Sequence, residues 1–310
     1  MALEPQTNPT VSKGTDVAPA SRKRTFMRYV RLLLKSKTGT VGFIIVTGVI
    51  LMAVFAPYLA PHDPNEINPA LMFKPPFWLE GSEPGYILGT DNQGRDLLSR
   101  IIYGTQISLL VGISSVVVAG IIGLTVGLIA GYYGGWIDNL LMRVVDAFLA
   151  VPNILLALVI LGVFVPGVLT LIFVLGVTNW IAYARVVRGE VLTLKEREFV
   201  KAARSIGVRN NKIILHHLLP NVFSSFIVIS TLSVATTIIL EASLSFLGLG
   251  IQPPTISWGL MLSAGRDYLA TSWWIATFPG LAITITVLGI IFLGDWMRDV
   301  LDPRTQVNRR

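Results

Sequence analysis

The chain has 310 residues, 53% hydrophobic and only 14% charged, with a mean hydropathy of +0.66. A soluble domain carries about a quarter charged residues, so this composition excludes an ordinary globular protein and points to a bilayer as solvent. The net charge of +7 is read as a record of membrane orientation rather than as a nucleic-acid footprint, because cytoplasmic loops accumulate Lys and Arg.

Residues 1–24 are expected to form a disordered cytoplasmic tail, since the first 21 carry Pro, Ser and Thr without apolar periodicity. Residues 25–60 combine a basic segment with the first membrane helix. Thr38–Pro61 runs 24 residues without Asp, Glu, Lys, Arg or His, more than the ~30 Å hydrocarbon core requires. Its length and its late basic flank separate it from a cleaved signal peptide. Further runs free of acids and bases are Ile101–Ile137, Ala147–Ala184 and Tyr268–Gly294, and Ile213–Gly265 is broken only by His216, His217 and Glu241. The expected helices lie at roughly 39–58, 106–130, 147–165, 168–186, 222–246 and 275–295.

Ala147–Ala184 decides the topology. As one helix its 38 residues would span about 57 Å, nearly twice the membrane. Pro166-Gly167, a turn dipeptide, divides it into a hairpin. The charges agree: six spans place 21 of the 25 Lys and Arg on one side, five spans only 10. The positive-inside rule therefore selects an all-α integral membrane protein with six transmembrane helices and both termini cytoplasmic.

The expected extracytoplasmic loop, residues 61–105, contains Pro61, Pro64, Pro69, Pro75, Pro76 and Pro84 and is read as compact. It leads into Gly89-Thr90-Asp91-Asn92-Gln93-Gly94-Arg95-Asp96-Leu97-Leu98-Ser99-Arg100. Asp91 or Asn92 suits an Asx turn, Gly94 suits positive φ, and Asp96 and Arg100 are spaced for an i,i+4 pair. Two readings stand: an ordered turn with a helix N-cap, and a docking surface for an extracellular partner.

A core at 106–297 follows, with an informative loop at 188–221 and a C-terminal cytoplasmic tail at 298–310. In the loop, Val191, Leu192, Leu194, Phe199 and Ile206 suggest one apolar helical face. Ala202-Ala203 leaves a low-relief patch, and Gly207 fits the left-handed position after a helix. Pro220 suits the first turn of the next membrane helix. The segment either lies on the inner leaflet or projects as a rigid helix-turn-helix into a cytoplasmic protein.

Lys201-Ala202-Ala203-x-x-x-Gly207, followed after nine intervening residues by His217-x-Leu219-Pro220, resembles the EAA motif of binding-protein-dependent ABC importer permeases. Lys201 stands where the family has Glu, and His217 where it has Ile. A narrower resemblance rests on Gly89-Thr90-Asp91-x-x-Gly94-Arg95-Asp96-x-x-Ser99-Arg100, Glu241-Ala-Ser-Leu-Ser-Phe-Leu-Gly-Leu-Gly250, Pro253-Pro254 and Trp258-Gly259. These are similar to the C-type permease of dipeptide/oligopeptide importers, a group that includes nickel-importer permeases. The resemblance implies a type I importer permease fold in a bacterial or archaeal cytoplasmic membrane. It also implies a second homologous permease, two cytoplasmic ATPase subunits or domains and an extracytoplasmic substrate-binding protein. The coupling residues would be Lys201, Ala202, Ala203, Ser205, Gly207, Leu219 and Pro220. ATP and Mg are expected on the ATPase partners, because this chain has no Gly-x-x-x-x-Gly-Lys-[Ser/Thr] loop.

Glu241, the only acid in the expected fifth helix, is an intramembrane ionisable group near the outer end, with a structural role weighed ahead of a functional one. Asp138, Arg143 and Asp146 are spaced so that Arg143 pairs with either acid. Gly120, Gly123, Gly127 and Gly131 are expected to make a close-packing face. His216-His217 point about 100° apart and do not form a metal conduit. No metal or catalytic residue is assigned, and the absence of cysteine removes thiolate chemistry and disulfides. The competing classes are a nickel importer, a secondary transporter or channel without ATPases, and a membrane enzyme. The sequence offers no inverted halves, charged path or catalytic cluster for the last two.

Overall fold

The computed structural model describes residues 31–301, and the terminal tails at 1–24 and beyond residue 301 lie outside the described residues. The architecture is helical: α1 (Lys37–Val54), α2 (Ala56–Leu59), α3 (Leu97–Tyr133), α4 (Gly135–Leu149), α5 (Asn153–Leu161), α6 (Val168–Leu194), α7 (Glu198–Ser205), α8 (Asn210–Ile213), α9 (Leu219–Phe246), α10 (Trp258–Gly265) and α11 (Trp274–Leu301). Among the described residues five helices are long and apolar enough to cross a membrane, with α8 and α9 counted as one, or six if the bent pair α4–α5 is one span.

The expected helix at 147–165 is not one element. α4 and α5 meet at 83°, because Pro152 lacks an N–H and drives the residue before it out of helical conformation. The split at Pro166-Gly167 is present, with α6 starting at Val168. Other boundaries also move. The second spanning helix starts at Leu97, not near 106. Arg100 lies in its first turn, and a charge there masks the helix in a hydropathy count. α6 runs to Leu194, past the expected 186. The helix expected at 222–246 begins at Asn210 and continues through a π turn at Ile214–Leu218 into α9. Pro220 is therefore inside a continuous rod. The π turn, which shifts bonding from i−4 to i−5, is where that rod absorbs the donor that proline lacks. α10 was not legible as a helix, being eight residues inside a longer apolar run.

The glycine face forms as expected. A Cβ on Gly127 would stand 2.7 Å from Val187 Cβ and 2.8 Å from the Ala184 carbonyl, and one on Gly131 2.7 Å from Val191 Cβ. Gly123 packs on Trp180 and Tyr183 in the same way. Without side chains on that face, α3 and α6 approach backbone to backbone, which is how membrane helices gain dispersion contact without a hydrophobic drive. Gly42 of α1 meets Leu293 of α11 by the same device.

Candidate functional site

At one end of the bundle the Gly89–Arg100 segment closes on itself. Gly89 and Gly94 take φ of +79° and +73°, and a Cβ on either would collide with a backbone carbonyl, that of Lys74 or Asn68. Asp91 is the hub. Its Oδ1 accepts from the N–H groups of Gln93 (2.8 Å) and Arg95 (3.0 Å), and its Oδ2 lies 2.7 Å from Arg95 Nε and 3.5 Å from Arg100 Nε. Thr90 donates to the Leu71 carbonyl and accepts from the Lys74 N–H. Asp96 caps α3, its Oδ2 accepting from the N–H (2.9 Å) and hydroxyl (2.5 Å) of Ser99. The expected Asp96–Arg100 pair is not made. With Asp96 spent as the cap, Arg100 turns to Asp91 and donates to the Pro64 carbonyl at 2.9 Å. Asp91 and Arg100 are only 4% and 5% exposed.

The separated motifs meet here. Trp274 Nε1 donates to the Thr90 carbonyl (3.1 Å), and Trp258 Nε1 to the Ile101 carbonyl (3.0 Å). Glu241, buried in α9, accepts at Oε1 from Ser245 (2.9 Å) and from Ser257 (3.0 Å), whose hydroxyl also caps α10. Its Oε2 has no hydrogen-bond partner among the described residues. A Cβ on Gly259 would stand 2.7 Å from Ala242 Cα, so Trp258-Gly259 lets α10 lie directly on α9 beside the carboxylate.

The opposite end carries the basic loop. α7 ends in a Schellman-type cap: Gly207 has φ +79°, its N–H donates to the Arg204 carbonyl (3.0 Å), and Val208 N–H reaches back to Ala203 (3.1 Å). Val200 and Ala203 are buried in a cluster with Val187, Val191, Ile213, Leu218 and Val222. This ties α7 to both α6 and α9. Tyr132 at the end of α3 donates to Asn210 (2.7 Å) and stacks under the Arg204 guanidinium (4.9 Å), while Lys195 donates to the Gly131 carbonyl (3.0 Å).

Phe199 and Ile206 do not join that inward face. They are 44% and 80% exposed and, with exposed Ala202, form a stripe at i, i+3 and i+7 along the flank of α7 that adjoins the buried one. The expectation of one apolar face is corrected because Val200 and Ala203 already fill the contact with the bundle. Ser205 is exposed beside the stripe. Lys201 points to solvent and pairs with Glu196 at 3.1 Å, and its hydrogen bond holds the Glu196 carboxyl below its ordinary range. Pro220 is exposed and Leu219 half-buried.

The expected pairing of Arg143 is also corrected. Asp138 is taken by Arg188 in a two-pronged contact (2.5 and 2.7 Å) and Asp146 by Arg185 (3.3 Å). Both arginines come from α6, which lies against α4, and neither partner could be read from spacing along one helix. Among the described residues no group of three or more His, Asp or Glu could hold a metal ion.

Residues 123–307 match the family model described as binding-protein-dependent transport system inner membrane component, over half of the chain. The chain belongs to this family. Residues 25–76 also match the N-terminal TM domain of oligopeptide transport permease C. The dipeptide transport system permease protein DppC of Alkalihalophilus pseudofirmus is 41% identical over 304 residues, covering 98% of this chain and 96% of that protein. The di/tripeptide transport system permease protein DppC of Pseudomonas aeruginosa is 42% identical over 263 residues, covering 85% and 87%. The glutathione transport system permease protein GsiD of Pectobacterium atrosepticum is 39% identical, covering 88% and 89%. An inward-facing structure of the MetNI methionine ABC transporter superposes with a TM-score of 0.54 at 20% identity, covering 66% of this chain and 98% of the matched chain. That likeness is one of fold: the chain has the type I importer permease architecture. As a family member it is a membrane permease subunit of an ABC transporter, and ATP hydrolysis belongs to a separate subunit.

Proposed function

We propose that this chain forms half of the translocation path of an ATP-driven importer of dipeptides or oligopeptides in the bacterial cytoplasmic membrane. A second homologous permease supplies the other half, two cytoplasmic ATPase subunits bind ATP and Mg, and a substrate-binding protein delivers cargo on the outer side. The residue 188–221 end and both termini face the cytoplasm, in keeping with the asymmetry of basic residues. The peptide cargoes in the relatives' names favour peptides over nickel.

The observation that carries the coupling assignment is the two-sided build of α7. One face, Val200 and Ala203, is locked into the bundle, and the other presents Phe199, Ala202 and Ile206. An ATPase cleft gripping the outer face would turn α7 as a rigid body, and the buried face would transmit that turn to α6 and α9. Ala202 keeps the middle of the gripped face flat, Gly207 fixes the exit of the chain, and Leu219-Pro220 sits where the motion enters α9. We assign Gly89–Arg100 to bracing the outer loop against α3 and α11, because its charges are spent internally, and Glu241 to holding α10 on α9.

The test uses Ser205→Cys, the sole cysteine such a variant would contain. In the assembled complex a disulfide is expected to a cysteine placed in the ATPase cleft. An inserted, folded variant that gives no crosslink there sinks the coupling assignment.

A further inference from the structure

Helix α9 packs against α3, α6, α10 and α11, yet only 28% of the most apolar stretch of Asn210–Phe246 is buried, against 50% for α3 and 56% for α6. The buried flank is Ala235, Ile238, Glu241, Ala242 and Ser245. Opposite it, Ser225, Thr236 and Ser243 are half-buried or exposed. They lie eleven and seven residues apart, so at about 100° per residue the three hydroxyls fall within about 20° of one line. Ile229, Leu232 and Ile239 complete the same flank. The open stripe of α3 is different in kind: Leu110, Ile113, Val117 and Ile121, at the same helical spacing and 47–62% exposed, offer lipid nothing but aliphatic surface.

The hydroxyl-bearing flank does not end blindly. Ser225, Ile229 and Leu232 are also walls of a cleft of about 850 Å³, within the ~300–1,000 Å³ typical of small-molecule sites. Glu190 and Arg197, near the end of α6, and Arg298, near the end of α11, line the same cleft. None of the three is in an ion pair among the described residues. At the same end Asp138 and Asp146 are matched by Arg188 and Arg185, while Glu198 and Asp295, like Glu190, have no ion pair among the described residues. Glu190 is hydrogen-bonded to Ser225 but has no cation beside it, and a carboxylate without a cation next to two guanidinium groups without an anion suits a ligand carrying both an ammonium and a carboxylate.

We infer that the flank Ser243–Thr236–Ser225 of α9 is this chain's wall of the cargo path, and that Glu190 with Arg197 and Arg298 holds the opposite charges of a zwitterionic peptide at its inner end. The assignment rests on the proposed function and adds to it the residues that meet the cargo. Thr236 and Ser243 donate to the Ser233 and Ile239 carbonyls of their own helix, so their hydroxyl oxygens offer cargo acceptors along the path without binding it too tightly to leave, and the charged cleft gives it a last station before release.

The experiment uses the assembled transporter in native membranes, with Thr236→Cys, Ser243→Cys and the control Val117→Cys, and a membrane-impermeant cationic methanethiosulfonate. A thiol reacts as its thiolate, which forms in water and not in hydrocarbon, so Thr236→Cys and Ser243→Cys are expected to react at least about tenfold faster than Val117→Cys. A glycyl-leucine load, delivered with binding protein, is expected to slow that reaction. Glu190→Gln is expected to lower glycyl-leucine transport by about tenfold or more with its thermal unfolding unchanged. Thr236→Cys as inert as Val117→Cys, in a complex that still transports glycyl-leucine, overturns the path and leaves the proposed function standing. Reactive cysteines in a complex that carries no peptide leave the aqueous path standing and overturn the peptide reading. Undiminished transport by Glu190→Gln removes the charged station.

Discussion

Two motif-bearing regions lie at opposite ends of the bundle and use their residues in opposite ways. In Gly89–Arg100 the polar side chains turn inward: Asp91 binds Arg95, Arg100 and two backbone N–H groups. In Glu198–Gly207 the small and apolar residues divide, with Val200 and Ala203 holding the helix to the bundle and Phe199, Ala202 and Ile206 left outside. A motif that spends its charges internally is a brace, and breaking it costs stability. A motif that leaves a stripe uncovered is open to a partner, and if it is the contact face proposed above, altering it is expected to cost function at little cost to the fold.

The contrast can be broken most strongly at Asp91. Asp91→Ala leaves the buried Arg100 guanidinium without its carboxylate, a loss of about 3–5 kcal/mol. A large drop in inserted protein and in the detergent unfolding midpoint is expected. Gly94→Ala comes next, because a Cβ at φ +73° meets the Asn68 carbonyl. Left-handed strain and overpacking together amount to about 2–3 kcal/mol, read in the same unfolding assay. Gly207→Ala sharpens the comparison from the other side. It has the same handedness problem, φ +79°, but nothing within 4 Å of the added carbon, so only about 1–2 kcal/mol of conformational strain is expected.

The smallest stability effects and the most specific functional ones belong to the outer stripe of α7. Ile206→Asp and Ala202→Trp are expected to leave the unfolding midpoint within about 0.5 kcal/mol of wild type, as surface changes do. Both are expected to abolish cargo-stimulated ATP hydrolysis by the complex. A shifted midpoint in either would show that the stripe is part of the fold. Lys201→Ala, which breaks only an exposed pair with Glu196, is expected to move neither measurement.

Much of this was legible in the residues. The apolar runs fixed where most spans lie, and Pro166-Gly167 marked the hairpin between α5 and α6. The spacing of Gly123, Gly127 and Gly131 announced the α3–α6 contact, while Gly120 faces Phe226 of α9, and Gly207 announced the end of α7. What failed did so for identifiable reasons. Arg100 hid the first turns of α3, because a hydropathy count cannot know that Asp91 neutralises it. Pro152 and the turn after Leu149 split an apolar run that looked continuous. The partners of Asp138 and Asp146 sit on α6, some 40–50 positions away, while spacing rules see only one helix at a time. Glu190, Arg197 and Arg298 read as ordinary loop and terminus charges until the fold set them around one cleft.

The sequence by itself therefore determined the solvent, the helical class and the family, since hydropathy and motif spacing are properties of the chain read in order. Tertiary structure alone decided which motif residues are spent and which are offered. Burial and ion pairing depend on what a second helix brings to the same point, and in this protein that neighbour is usually far away in the chain.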